Sequence, residues 1–100
     1  MAGGRIVIDP DAANADISKL RAAIRKLEES QSSIKKLSAS ASDMTGKTGT
    51  AITGKCGELN AQVNDMISNL NLTIRLIQAA VKEYKEKDRY LENAFRRGGI

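Results

Sequence analysis

Histidine and tryptophan are absent from this 100-residue chain, cysteine and proline occur once each, and two tyrosines and one phenylalanine are its only aromatic residues. Each absence removes a class of chemistry. Without an imidazole, a Ser/His/Asp or Cys/His catalytic array cannot be assembled; with one thiol and no histidine, a His/Cys metal site and a disulfide framework lack their parts. The expectation is a non-enzymatic protein with no cofactor, metal or small-molecule ligand. No apolar run approaches the roughly 18 to 20 residues of a spanning helix, and the opening MAGGRIVIDP lacks the longer apolar stretch of a cleavable signal peptide. The chain therefore reads as soluble and without a conventional export signal.

What remains is an aliphatic and charged palette. Apolar residues make up 41% of the chain, so it is not compositionally disordered, and a core must rest on Ile, Leu, Val, Met and Ala. The 16 basic residues outnumber 12 acidic ones by only four, and both signs are interleaved in LEES, YKEKD and YLENAF. Tyr84, Tyr90 and Phe95 lie among acidic residues rather than along a basic face, so no nucleic-acid partner is expected. The pairs Lys35-Lys36 and Arg96-Arg97 are too short to count as a patch.

The first helix has a legible start. Asp9 can cap, Pro10 suits the first helical position and Asp11 adds charge that the helix dipole favours. Ala12 stands where a full capping box needs Glu or Gln, and Ile8 can still pack weakly on Ala13. Ala13, Ile17, Leu20, Ile24, Leu27, Gln31 and Ile34 then follow at alternating spacings of four and three, continued by Leu37 and Ala41 after a local slip. The stretch SDMTGKTGTAITGKCG that follows is rich in glycine and threonine and predicts a bend over residues 43–50. Beyond it Ile52, Cys56, Leu59, Val63, Met66, Leu70, Ile74, Ile77, Val81, Tyr84, Asp88, Leu91 and Phe95 keep spacings of three or four.

The pattern predicts one all-α domain, an antiparallel hairpin with helix one over residues 10–42 and helix two over about 50–95. Helix two is the longer and must overhang. Its apolar surface is also wider than one seam, because Ile67, Leu72, Leu76 and Ala80 flank the main stripe. Leu59, Val63, Met66, Ile67, Leu70, Leu72, Ile74, Leu76 and Ile77 are therefore the expected partner interface, with pairing into a four-helix bundle as the expected assembly. A monomeric hairpin with ordinary exposed leucines is the competing reading.

Three local features bear on function. Residues 49–56, GTAITGKC, fall one residue short of the phosphate-binding pattern G-x-x-x-x-G-K-[ST], since Cys56 replaces the hydroxyl and no strand precedes the loop; a hairpin bend explains the glycines better. Cys56 itself falls on the apolar seam and reads as a small packed residue. Tyr84 and Asp88 are one helical turn apart on one face, and Asp88 occupies the heptad position of Ile67, Ile74, Val81 and Phe95. An unpaired carboxylate is costly to bury, so the seam must open to water or a partner there.

A chain of this length with two long helices, a glycine-containing bend and Tyr-x-x-x-Asp late in helix two resembles the small ESX or WXG-type proteins of type VII secretion. The opening IVIDPDAANADISKLRAAIRKLEES is similar to the first helix of such proteins, and Tyr84 with Asp88 matches their Y-x-x-x-[DE] export motif. The bend holds no Trp-x-Gly, which makes the chain closer to the divergent hairpins that accompany LXG-type polymorphic toxins in Gram-positive bacteria. The resemblance implies an interaction protein whose partners are another helical hairpin, itself or a paralogue, and the helical N-terminal domain of an LXG-type toxin. It also implies that Tyr84 and Asp88 are read by the secretion ATPase or membrane complex. Export to the medium or cell surface without a signal peptide, from a cytoplasmic pool, follows from the same resemblance. An intracellular coiled-coil adaptor or chaperone, equally helical, is the alternative.

Overall fold

The computed structural model describes residues 8–97; residues 1–7, which carry most of the opening segment, and the Arg97 side chain of the Arg96-Arg97 pair lie outside that description. Two helices fill nearly all of it, α1 (Pro10–Ser42) and α2 (Lys47–Arg97), with no strand among the described residues. Helix α1 starts as its sequence dictates. Asp9 is extended, and its Oδ1 accepts hydrogen bonds from the backbone N–H of Asp11 at 2.9 Å and of Ala12 at 3.4 Å. Such a cap is worth about 1 kcal/mol.

The bend is tighter than glycine content suggests, because α2 already begins at Lys47. The Met44 N–H donates to the Ala41 carbonyl at 3.0 Å, and Gly46 turns the chain with a φ of 84°, a conformation that L side chains rarely adopt. Gly49 has a different role inside the first turn of α2. A Cβ there would stand 2.7 Å from the Met44 carbonyl oxygen and 2.8 Å from that of Ala41, so only a bare backbone lets the two helices meet this closely. Gly54 and Gly57 face open space. Weak helix propensity alone therefore misplaces the bend's end, since tertiary contact overrides it.

From the bend the helices run back along each other. Their contact line is a strict heptad seam. On α1 it passes through Ala13, Ile17, Leu20, Ile24, Leu27, Gln31, Ile34, Ser38 and Ala41, all buried or half-buried; on α2 through Cys56, Asn60, Val63, Ile67, Leu70, Ile74, Ile77, Val81 and Tyr84. Spacings of four and three alternate without a break on both helices, the pattern of a left-handed coiled pair. Three large residues form the buried centre, Ile17 (8% exposed), Ile24 (9%) and Ile74 (5%), with Leu20, Ile67, Leu70 and Ile77 packed around them. Toward the bend the seam turns small and polar. Gln31 donates from its side-chain amide to the Asn64 side chain across the pair.

The result is a rod of 81 × 25 × 16 Å with a radius of gyration of 22.8 Å, against about 13 Å for a globular chain of this length. At 1.5 Å per residue α1 spans about 50 Å and α2 about 76 Å, so the end of α2 projects past the start of α1. Tyr84 is the last half-buried residue of α2. Every described side chain from Lys85 to Arg96 is exposed.

Candidate interaction surface

The seam sorts the expected interface residues into two groups. Ile74 is buried, and Ile67, Leu70 and Ile77 pack on the hairpin's own core, while Val63 is half-buried on the same line. Leu59, Met66, Leu72 and Leu76 stay outside. The periodicity of the apolar residues alone puts Leu37, Leu59 and Met66 on the seam, and the structure replaces them with Ser38, Asn60 and Ile67. The reason is geometric. A seam through Leu59 and Met66 needs two consecutive four-residue steps, Met66 to Leu70 to Ile74, whereas the strict repeat does not slip. Sequence reasoning missed Ser38 and Asn60 because both are polar; unbroken alternation counted back from Tyr84 would have found Asn60.

The displaced residues and the flanking Leu76 share a direction. Leu37, Leu59, Met66 and Leu76 each precede a seam residue by one, and one residue turns a side chain by about 100° around its helix. Because the sense of rotation reverses with chain direction, one step back on either antiparallel helix leads to the same broad face of the hairpin. Leu37 is 51% exposed there, Met66 52% and Leu76 62%. Ala23 and Ala80 extend the face with small residues, and Leu72 lies on its outer edge, one turn before Leu76. An apolar strip therefore runs beside a seam whose own positions near the bend are polar, an inversion that the hairpin alone does not use.

Tyr84 and Asp88 stand where the pair of helices becomes a single one. Tyr84 is half-buried at the edge of the covered segment, and Asp88, one turn on, is exposed at the continuing seam position. Leu91 and Phe95 carry the seam farther along uncovered helix and are both exposed. Two ion pairs, Lys87 with Glu83 at 3.3 Å and Arg96 with Glu92 at 2.8 Å, span single turns of this stretch; exposed pairs of this kind add about 0.3–0.5 kcal/mol each. Asp88 joins no ion pair among the described residues.

The remaining candidates are structural in placement. Residues 49–56 are helical throughout, so the near-match to a phosphate loop has no loop, and Cys56 is a free thiol buried on the seam. Among the described residues no cluster of His, Cys, Asp or Glu could hold a metal ion, and no helix is long and apolar enough to cross a membrane. No protein-family model, curated protein or solved structure matches this chain.

Proposed function

We propose that the chain is a non-enzymatic hairpin of type VII secretion that docks a helical partner on its apolar face and presents Tyr84 and Asp88 as an export signal. The observation that carries this reading is the position of that pair. Tyr84 closes the covered seam and Asp88 opens the uncovered one, so an aromatic ring and a carboxylate stand together where, among the described residues, the seam side of α2 first becomes reachable without displacing α1. Tyrosine is among the side chains enriched in recognition hot spots, and a neighbouring charge adds specificity.

The partner in this reading is a second hairpin, itself or a paralogue, or the helical N-terminal domain of an LXG-type toxin. Leu37, Leu59, Met66 and Leu76 supply its driving force. Burying a half-exposed leucine or methionine removes roughly half of the 1.5–3 kcal/mol of a full side chain from water, so the four together offer about 3–6 kcal/mol before association costs. A four-helix bundle is the assembly that uses such a strip along two paired helices.

The test is export of the intact chain from a Gram-positive host with a type VII system, compared with the same host lacking the system's ATPase. Appearance in the medium or at the surface only when the ATPase is present supports the proposal. Retention in both hosts, or export from both, contradicts it; retention would leave the adaptor or chaperone role as the better reading of the same apolar face.

A further inference from the structure

The face opposite the apolar strip has its own composition. One step forward from the seam leads from Leu20, Ile24, Ile74, Val81, Tyr84 and Asp88 to Arg21, Arg25, Arg75, Lys82, Lys85 and Arg89, all on one broad side of the hairpin. A groove runs there between the helices, walled by Arg21, Arg25 and Arg75, with Asn71 and Gln78 beside them and Ile24 and Ile74 at its floor. Glu86 lies among the cations farther along α2. Even so, none of the six basic residues enters an ion pair among the described residues, whose pairs use Lys55, Lys87 and Arg96. The small net charge thus conceals a segregated one: these six cations face Glu86 alone in the two grooves they line, and like charges in such excess repel until a counter-charge arrives.

We infer that this face docks an acidic amphipathic α-helix of another protein. Arg75, Lys82, Lys85 and Arg89 are spaced seven, three and four residues apart, which sets them along one line of about 21 Å. A helix with carboxylates at the same heptad spacing brings one opposite each cation. The guanidinium groups of Arg21, Arg25 and Arg75 can grip carboxylates bidentately, and the isoleucine floor accepts an apolar residue of the incoming helix. Other anionic partners fit less well. Single-stranded nucleic acid is held by cations interleaved with stacking aromatics, and Tyr84, Tyr90 and Phe95 all fall off this line. Membrane-surface helices carry apolar residues that insert beneath a cationic rim, whereas here the exposed apolar strip and the basic line occupy opposite sides. The inference does not depend on the export reading, since it uses the side that the apolar docking leaves free.

The experiment titrates the full chain into a fluorescent synthetic helix of about three heptads with glutamate along one side, and into its all-glutamine twin. The glutamate helix binds and weakens as salt rises, and the twin binds at least tenfold less tightly. Combining Arg21→Gln, Arg25→Gln and Arg75→Gln lowers affinity about tenfold or more, equivalent to about 1.4 kcal/mol. The control combination Lys19→Gln, Lys26→Gln and Lys47→Gln removes equal charge from other sides and stays within about twofold of the parent, as groove docking and not net charge requires. Equal binding of the two peptides overturns the inference. So do equal losses in the two variants, or tighter binding of duplex DNA or of phosphatidylglycerol vesicles than of the glutamate helix.

Discussion

Helix α2 contains two segments with one repeat and opposite fates. From Cys56 to Tyr84 its heptad positions are covered by α1; from Asp88 to Phe95 the same spacing continues with every side chain exposed. Periodicity thus records what a helix can bury, and only the length of its partner decides what it does bury. The covered segment holds the hairpin together, while the uncovered one keeps helical form through local hydrogen bonds and exposed ion pairs, and is free to meet another molecule.

The largest effect that separates the segments is Ile74→Ala. It removes one of three large buried residues, and the cost is about 2–4 kcal/mol in a urea melt followed by circular dichroism, enough to unfold much of so thin a core. Phe95→Ala, at a matching seam position on the uncovered segment, changes the unfolding free energy by less than about 0.5 kcal/mol. Equal losses would mean that the end of α2 is packed within the monomer.

Next in size is the bend. Gly49→Ala forces a Cβ against two carbonyl oxygens and should destabilise by about 1–3 kcal/mol, whereas Gly54→Ala, in an open helical position, should stabilise by about 0.5–1 kcal/mol. Opposite signs at two glycines five residues apart distinguish close helix approach from general flexibility.

A third comparison sets the broad faces against each other. Leu37→Gln with Met66→Gln and Leu76→Gln should weaken self-association or partner binding by tenfold or more in sedimentation and pull-down measurements, with monomer helicity retained. Glutamines at Asn71, Ser68 and Asn64 on the opposite face should leave the apolar docking unchanged.

Much of the fold is legible in the sequence. Asp9 and Pro10 announced the start of α1, and the two long seams announced an all-helical chain with an overhang. Apolar identity misled where polar residues hold seam positions: Leu37 and Leu59 are more hydrophobic than Ser38 and Asn60, yet the alternation of four and three runs through the latter. Leu37 and Leu59 so displaced, with Met66 and the flanking Leu76, stay exposed on one face of the hairpin. Glycine content assigns Gly49 to the bend, because propensity cannot report a contact with Ala41 and Met44. The basic line is hidden by composition, since of the neighbouring acids Glu83, Glu86 and Asp88 only Glu86 lies among its cations.

The smallest expected effect on stability goes, under the proposed export reading, with the largest on function. Asp88→Asn keeps the shape of an exposed side chain and removes its charge, so melting temperature and helicity should stay at parent values. Tyr84→Phe, which preserves the half-buried ring, serves as its packing control. Export of Asp88→Asn, measured beside its thermal melt in a host with a working type VII system, is the deciding measurement. Loss of export with an unchanged melt is the result expected of a signal read from the uncovered helix; export at the parent level contradicts it.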